Sequence, residues 1–587
     1  MRPDDPLIVQ SDRTLMLHTV RTVVDDAGVP IKDAEGRPQT EEHPRFAEAR
    51  DALAPFAELE KSPDYLHTYR VTPVSVWNAA ALQMSAEDIE KTLLDLSCVP
   101  VPQNVLDQIR GWIERYGLLR IERVEERFQL VSDDAQTLAD VLGHEAIAKL
   151  VTVDDAGQVW VDALQRGTIK QSLIKIGFPV DDRGGYIDGD PLEVTFRERT
   201  LAGLEFHLRA YQENAAKAFH AGGSVLGGSG VIVLPCGAGK TITGMAAMNL
   251  VGTKTLILTT NTIAVRQWKD ELLDKTELTT SQVGEYTGEH KVVCPVTITT
   301  YQMLTWRRSK TDDFEHFELF SRENWGLVIY DEVHLLPAPI FRITADLQAR
   351  RRLGLTATLV REDGKEDEVF CLIGPKRYDV PWKVLEGQGF IAPATCVEVR
   401  VPLSTELRSR YAAAGARAKF RIASENPQKI PVVQRLVERH VGGRVLIIGQ
   451  YIEQLNQLAR HFGAPLITGK TPNSERQRLY AAFRSGTLTL LIVSKVGNFA
   501  IDLPDANVAI QVSGVFGSRQ EEAQRLGRIL RPKSDGSHAV FYSVVTLGSR
   551  DQEFAEKRQL VLTEQGYTYE IVEAASLDLS VEPGAAT

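Results

Sequence analysis

The sequence predicts an α/β protein in which two successive parallel-sheet domains follow smaller α+β modules. Its 587 residues exceed what one hydrophobic core can organise. After residue 200, short apolar segments alternate with helical stretches, which is typical of parallel sheets covered on both faces. The first series is VIVLP, KTLILTT, VTITT, GLVIYDE and RRLGLTAT, and the second is RVLIIGQY, APLITG, LTLLIVSK, VAIQVS and AVFYSVV.

Composition excludes several classes of protein. With 43% hydrophobic and 25% charged residues, the chain is neither disordered nor fibrous.

The net charge of −11 excludes a uniformly basic nucleic-acid coat, but the charge is unevenly distributed. Residues 1–200 carry −14, 201–400 carry −2, 401–500 carry +10 and 501–587 carry −5. The segment 401–500 is therefore a candidate for local contact with DNA.

Cysteine usage and hydropathy favour a cytoplasmic location. The five cysteines are scattered without a C-x-x-C pair, which argues against a zinc site or an iron–sulfur cluster and for a reducing compartment. The acidic N-terminus is not followed by a long apolar region, and no stretch approaches 18 uninterrupted apolar residues. We therefore expect neither secretion nor a membrane span.

The first 200 residues divide into three predicted modules. Residues 1–64 are an acidic lead-in, and residues 133–200 are a small α+β domain ending in a turn-rich linker. Between them, residues 65–132 contain two helical patterns, the first capped by Ser85, and then a hairpin pattern. This order is winged-helix-like, and both a DNA-reading module and a packing or partner module share it.

A glycine-rich turn follows the strand VIVLP and precedes a helix pattern. Backbone N–H groups of such a turn can hold phosphates at a helix N-terminus, and a lysine there reaches the β and γ phosphates. Leu234 occupies the place of the first glycine in the usual phosphate-loop pattern, so a purely structural strand-to-helix turn is the alternative. The candidate nucleotide-binding residues are Leu234, Pro235, Cys236, Gly237, Ala238, Gly239, Lys240 and Thr241, with the Thr241 hydroxyl on Mg²⁺.

Two further elements carry charges suited to nucleotide hydrolysis. The strand GLVIY ends in Asp331, which can hold Mg²⁺, and in Glu332, which can polarise the attacking water. In EEAQRLGRILR, Arg528 and Arg531 lie three residues apart and share a helix face, from which they could reach a γ-phosphate. A basic amphipathic helix is the alternative for the second element.

Together these motifs resemble superfamily 2 helicases, whose motor consists of two RecA-like domains with ATP between them. The longer motifs LPCGAGKT, DEVH, GLTATLVRED, LIGPKRY, SKVGNFAIDLP and GSRQEEAQRLGRILR resemble the XPB helicase family in its bacterial form. The resemblance covers residues 200–570, and HTYRVTPVSVWNAA at 67–80 also resembles the N-terminal module of that family.

The resemblance implies roles for individual residues. Gln212 resembles the glutamine that recognises adenine. Arg528 and Arg531 resemble arginine fingers, and Gln524 lies beside them. The residues that resemble couplers between the hydrolysis site and the DNA-binding groove are His334, Thr356 and Thr358. The positions that resemble DNA-contacting motifs are Gln267, Trp268, Thr300, Tyr301, Ser494, Lys495 and Gly497, together with the strand-separation element Arg361, Glu362 and Asp363. Core packing is the alternative for Trp268.

The same resemblance implies the ranges of the motor. RecA-like domain 1, which binds ATP, spans 201–385, and RecA-like domain 2 spans 431–570, followed by a tail at 571–587. Residues 386–430 form a connector with a short thumb-like insertion whose cations suit phosphate contact: Arg408, Arg410, Arg417, Lys419 and Arg421.

The implied function is an ATP- and Mg²⁺-dependent DNA helicase or translocase that moves 3′ to 5′ on a single strand or fork, with nucleotide excision repair as the implied pathway. A duplex translocase that does not separate strands is one alternative. An ATP-gated DNA-binding scaffold that recruits a nuclease is the other. No nuclease motif is evident in the sequence, so incision would require a partner.

Overall fold

Four main sheets organise the chain in the computed structural model. The chain divides into two compact units: the first contains Met1–Val233 and most of the residues from Gly239 to Asp379, and the second contains Leu234–Ala238 and Val380–Thr587. The structure describes residues 5–25, 29–32, 38–61, 65–81, 83–125, 127–162, 165–182, 189–223, 228–235, 237–307, 316, 320, 322–335, 349, 351–357, 369, 373–374, 376–494, 506–514, 538–564 and 566–577.

The chain begins with an antiparallel sheet and four helices. The strands are β1 (Leu7–Val9), β2 (Thr14–His18), β3 (Val20–Thr22), β4 (Thr40–Glu42), β5 (Glu58–Lys61) and β6 (Leu66–Arg70), and the helices are α1 (Phe46–Leu53), α2 (Pro73–Ala81), α3 (Ala86–Leu96) and α4 (Gln103–Ile113). The sheet has the order β1-β2-β6-β5, and β3 pairs only with β4 among the described strands. Ser85 caps α3 in a reciprocal capping box with Asp88, as its spacing predicts.

A second, mixed sheet follows. Its strands are β7 (Leu119–Val124), β8 (Arg127–Ser132), β9 (Val151–Val153), β10 (Val159–Val161) and β11 (Val180–Asp182), and its helices are α5 (Ala135–Leu142), α6 (Glu145–Ala148) and α7 (Arg166–Lys175). The strand order is β11-β7-β8-β10-β9, with only β11 and β7 parallel. The predicted hairpin is present as the antiparallel pair β7–β8.

The winged-helix-like grouping of residues 65–132 differs from the observed packing. Ile89 of α3 and Ile109 of α4 pack in one core with Leu15 and Leu17 of β2. The hairpin instead buries its apolar face in a second core with β10 and α7. The predicted helices and hairpin are therefore correct as elements, but within the described residues they belong to two different cores.

The third sheet is parallel throughout. It contains β12 (Ser229–Val233), β13 (Thr255–Thr259), β14 (Val283–Tyr286), β15 (Val296–Thr300), β16 (Leu327–Asp331), β17 (Arg351–Thr356) and β18 (Lys376–Asp379), with the helices α8 (Ala210–His220), α9 (Lys240–Val251), α10 (Thr262–Lys275) and α11 (Tyr301–Leu304). Its order is β14-β15-β13-β16-β17-β12-β18. The central strands are buried along their length, as expected for a parallel sheet with both faces covered.

The N-terminal helix α2 packs on this third sheet. Val74 and Trp77 share a core with sheet residues such as Val231 and Val328, and the Trp77 indole N–H donates to the Trp112 carbonyl at 2.9 Å. Sheet and helix thus form a continuous hydrophobic interior within the first unit.

The second unit contains the other parallel sheet. Its strands are β19 (Ala394–Val401), β20 (Val445–Gly449), β21 (Leu466–Ile467), β22 (Leu490–Ser494), β23 (Val508–Gln511), β24 (Ala539–Thr546) and β25 (Tyr569–Glu573). Its helices are α12 (Trp382–Gly387), α13 (Thr405–Ala413), α14 (Ala416–Ser424), α15 (Lys429–Arg439), α16 (Ile452–Phe462), α17 (Asn473–Arg484) and α18 (Arg550–Glu564). The order is β21-β22-β20-β23-β24-β19-β25, with every pair parallel.

All ten apolar segments that predicted strands lie in these two parallel sheets, which confirms the α/β class. Four more strands of the two sheets, β14, β18, β19 and β25, were not predicted. β19 lies inside the range predicted as a connector, yet it pairs along all of β24. Across the described part of the chain, no helix is both long and apolar enough to cross a membrane.

Candidate active site

The glycine-rich turn leads into the N-terminus of α9. Gly237 and Gly239 have φ values of +84° and +80°, a left-handed conformation that favours glycine. Gly239 is the N-cap of α9, so Lys240 begins the helix. The first N–H groups of a helix lack intrahelical partners and carry partial positive charge, which makes this end suited to a phosphate.

Gln212 of α8 lies beside this turn. It is buried, and its Oε1 accepts a hydrogen bond from the Arg209 N–H at 3.0 Å. A Cβ placed on Gly239 would come within 2.5 Å of the Gln212 Nε2. The backbone conformation at 239 therefore favours glycine, and a side chain there would displace this amide.

The carboxyl end of β16 carries the acidic pair. Asp331 is the last residue of the strand and Glu332 follows with φ of +51°, a strained conformation for a residue with a Cβ. The Glu332 Oε1 lies 3.4 Å from the Lys240 Nζ. The structure thus brings together the predicted lysine and the predicted glutamate, which are 92 positions apart in the chain.

Two aromatic residues hold Asp331 in place. The Trp268 indole N–H of α10 donates to the Asp331 Oδ2 at 2.8 Å, and the Tyr301 hydroxyl donates to the Asp331 carbonyl at 2.8 Å. Both aromatic side chains are buried. The side chain and the backbone of Asp331 are therefore each fixed by a separate hydrogen bond.

The pKa of Asp331 is raised to about 6, chiefly by burial and secondly by the neighbouring charge of Glu332. The Trp268 hydrogen bond and the Lys240 charge act in the opposite sense and lower this pKa. At neutral pH the carboxyl group is mainly ionised although it is buried, an arrangement that a bound cation would stabilise.

The chemistry of these side chains fits Mg²⁺ with a nucleotide. Carboxylate and hydroxyl oxygens are the ligands that Mg²⁺ prefers, and Asp331 and Thr241 could supply one each. Mg²⁺ in nucleotide sites usually takes few protein ligands because phosphates and waters complete its coordination. Within the described residues, no group of three or more His, Cys, Asp and Glu side chains could hold a metal ion.

A buried polar chain connects Glu332 to the end of β17. The His334 Nδ1 lies 2.7 Å from the Thr356 Oγ1 and 3.5 Å from the Glu332 Oε2. His334 is nearly buried and Thr356 is fully buried. Two predicted couplers lie among the described residues, His334 and Thr356. His334 lies next to the candidate catalytic Glu332, and Thr356 is linked to it through His334.

Four predicted DNA contacts have buried side chains. Trp268, Thr300, Tyr301 and Ser494 are 1%, 5%, 3% and 2% exposed. That these positions contact DNA, through hydroxyls or backbone N–H groups, stays a prediction. Trp268 and Tyr301 support Asp331, and the Thr300 Oγ1 caps α11 by accepting from the Met303 N–H at 3.3 Å. Gln267 is half-buried.

The role of Trp268 was missed from the sequence. It lies 63 positions from Asp331, and no local pattern links an indole in one helix with a carboxylate on another strand. Its buried position on α10 agrees with the core-packing alternative, to which the structure adds the hydrogen bond.

The remaining predicted site residues lie outside the described residues. They are Cys236, Thr358, Arg361, Glu362, Asp363, Lys495, Gly497, Gln524, Arg528 and Arg531.

The candidate thumb-like insertion forms the helix pair α13 and α14. Arg408, Arg410 and Arg417 are exposed on it. Arg421 instead pairs with Glu425 at 2.9 Å, and the Lys419 ammonium lies over the Tyr411 ring at 5.5 Å. Arg421 is exposed as well, so four of the five predicted cations project into solvent.

Three family models match the chain. The ERCC3/RAD25/XPB C-terminal helicase model matches residues 385–582, and the type III restriction enzyme res subunit model matches residues 205–361. A model described as a helicase conserved C-terminal domain matches residues 37–155. The first two matches coincide largely with the two parallel sheets.

Curated relatives extend the similarity over nearly the whole chain. The chain is 51% identical to "DNA 3'-5' helicase XPB" of Kineococcus radiotolerans over 98% of each chain. It is 50% identical to the protein of the same name in Mycobacterium tuberculosis, over 98% of this chain and 99% of the relative. It is also 34% identical to the "General transcription and DNA repair factor IIH helicase/translocase subunit XPB" of Antonospora locustae, over 90% of this chain and 79% of the relative. The chain therefore belongs to the XPB family of DNA helicases.

Proposed function

We propose that the protein is an ATP-dependent DNA helicase that moves 3′ to 5′ and couples hydrolysis to strand separation in nucleotide excision repair. The observation that carries this proposal is the meeting of Lys240, at the N-terminus of α9, with Asp331 and Glu332 at the end of β16. Membership in the XPB family supports DNA as the substrate.

The proposed division of labour follows from the chemistry of each side chain. Lys240 and the first N–H groups of α9 hold the phosphates, and Gln212 recognises the adenine by its amide. Thr241 and Asp331 would hold Mg²⁺, which neutralises phosphate charge when bound. Glu332 orients the attacking water and accepts its proton. Its Oε1 lies 3.4 Å from the Lys240 Nζ, and its Oε2 lies 3.5 Å from the His334 Nδ1.

Further roles remain proposals from the family resemblance. They are the arginine-finger roles of Arg528 and Arg531 with Gln524 beside them, the phosphate-loop role of Cys236 and the coupling role of Thr358. The DNA contacts are proposals of the same origin, namely those of Gln267, Trp268, Thr300, Tyr301, Arg361, Glu362, Asp363, Ser494, Lys495 and Gly497. The predicted module ranges, a nuclease partner and a cytoplasmic location are proposals of the same kind.

The test compares DNA-stimulated ATP hydrolysis by Lys240→Ala, Glu332→Gln and the exposed control Lys217→Ala of α8. We expect Glu332→Gln to bind nucleotide but to hydrolyse it roughly 10²–10⁴-fold more slowly. Lys240→Ala should lose binding as well, and Lys217→Ala should match the parent protein. Full activity in either of the first two variants would contradict the assignment.

Strand separation requires its own assay. Unwinding of a forked duplex by the purified protein, measured beside displacement of a triplex strand, separates a helicase from a duplex translocase. We expect both activities to require ATP. Triplex displacement without fork unwinding would favour the translocase, and unwinding without added partners would exclude the scaffold alternative.

A further inference from the structure

An exposed tryptophan follows the short helix α11. Trp306 is 43% exposed, whereas Trp268 and Trp325 of the same unit are buried. It lies two residues beyond the end of α11, and the exposed Arg307 comes next.

The Trp306 ring rests on an ordered aromatic support. It stacks on the His316 imidazole with 5.4 Å between ring centroids and 29° between the ring planes. His316 is itself buried, and its Nδ1 lies 3.1 Å from the Tyr286 hydroxyl. Tyr286 in turn meets Phe320 edge to face at 5.0 Å. Because His316 covers one face of the indole, the exposed area lies on its other face and its edges.

The position of this ring relates it to the candidate ATP site. β15 ends at Thr300, at the same edge of the parallel sheet as Asp331 on β16. Tyr301, which donates to the Asp331 carbonyl, lies five residues before Trp306. Trp306 is therefore an exposed aromatic on the segment whose two predicted DNA contacts, Thr300 and Tyr301, are buried.

We propose that Trp306 is a stacking platform for one unpaired base of the DNA strand; this inference rests on the proposed function. An aromatic ring offers every base a favourable face, so such a contact is independent of sequence, as a motor that moves along DNA requires. The His316 support fixes the ring before binding, which reduces the entropy lost when a base stacks on it. The adjacent Arg307 suits contact with the neighbouring phosphate.

The test measures binding of oligo(dT) and of a matched strand with abasic positions to the full-length parent, Trp306→Ala, Trp306→Phe and Tyr65→Ala. Tyr65 is an exposed aromatic elsewhere in the first unit and serves as the control. We expect Trp306→Ala to weaken oligo(dT) binding roughly 5- to 150-fold. Trp306→Phe should retain most of the affinity, Tyr65→Ala should retain all of it, and the abasic strand should bind the parent and Trp306→Ala equally.

Fluorescence gives a second readout that does not require the alanine variant to fold. The protein has seven tryptophans, so the difference in quenching by oligo(dT) between the parent and Trp306→Phe isolates the Trp306 signal. Loss of most of the quenching in Trp306→Phe is the expected result. Equal quenching in both proteins, or equal oligo(dT) affinity in a folded Trp306→Ala, would overturn the inference. If the parent failed to bind DNA at all, the proposed function itself would fail.

Discussion

Asp331 is held ionised in the interior at a cost to stability. Its pKa is raised to about 6, first by burial and then by Glu332, so the folded protein binds a proton at this site more tightly than the unfolded chain does. The stabilisation from this group is fully present below its ordinary pKa of 3.8 and is lost as the pH rises through 6. The buried charge of Asp331 therefore destabilises the protein at neutral pH, and a cation bound there would offset this cost.

Asp331→Asn should raise the melting temperature of the metal-free protein at pH 8 by roughly 2–5 °C, because it removes the buried charge and keeps an acceptor for the Trp268 N–H. This gain in melting temperature should shrink as the pH falls from 7 towards 4, because Asp331 of the parent protein then becomes protonated and loses its buried charge. Thermal unfolding in a chelating buffer across this range provides the measurement, with the exposed Asp140→Asn as the control. A gain that is independent of pH would contradict the raised pKa.

Close packing between α9 and α10 connects the helix that begins at Lys240 to Asp331. Gly244 lies in the middle of α9, where alanine would ordinarily be the better helix former. A Cβ at this position would meet the Trp268 Cη2 at 2.7 Å and the Leu355 Cδ1 at 3.1 Å. The absence of a side chain at 244 thus allows the indole to reach both the helix and the carboxylate.

Gly244→Ala should lower stability by about 1–2 kcal/mol, because overpacking outweighs the gain in helix propensity. It should also reduce ATP hydrolysis by displacing Trp268 from Asp331. The matched control is Gly111→Ala in α4, where no atom lies within 4 Å of an added Cβ and a gain of about 0.5–1 kcal/mol is expected. Thermal unfolding and ATP hydrolysis of both variants provide the measurement. If both substitutions stabilised the protein equally, an added methyl group at 244 would not clash with Trp268, and the expected close packing would be contradicted.

Charge is segregated over the whole molecule. The net charge of −11 conceals a block of +10 at 401–500 and a block of −14 at 1–200. The helix pair α13–α14 lies within the positive block and exposes Arg408, Arg410 and Arg417. The overall sign therefore says little about DNA binding, since contact depends on the local field.

Replacing Arg408, Arg410 and Arg417 together by glutamine should make single-stranded DNA binding less sensitive to salt. Each lost phosphate contact reduces the slope of log K against log salt by about 0.7, so the slope should fall by about 2 in magnitude. Titrations between 50 and 200 mM salt measure this slope. Arg478→Gln, whose arginine is already paired with Glu475 at 2.7 Å, serves as the control and should leave the slope unchanged. An unchanged slope in the triple variant would show that this helix pair does not meet DNA.

Local patterns in the sequence were sufficient for ten strands of the two parallel sheets, for the β7–β8 hairpin and for part of the candidate site. The strands β1–β5 and the helix α1, which lie in the predicted lead-in 1–64, were not predicted. The continuous apolar segments predicted the central strands, because a strand buried on both faces requires apolar residues throughout. The turn at Gly237–Gly239 and the cap at Ser85 were also predictable, since each depends on the chemistry of a few neighbouring residues. The missed strand β18 is half-buried along its length and so lacks such a pattern.

Tertiary structure decided which distant residues share an environment. It placed the β7–β8 hairpin in a different core from α3 and α4, because apolar surfaces select their partners by shape and not by proximity in the chain. It buried Trp268 and Tyr301 around Asp331 and left Trp306 exposed, although all three aromatics precede the acidic pair in the same stretch of sequence. Residue type and spacing thus predicted the lysine and the acidic pair that the structure brings together, whereas burial, a property of the packed molecule, determined which aromatic side chains remain exposed.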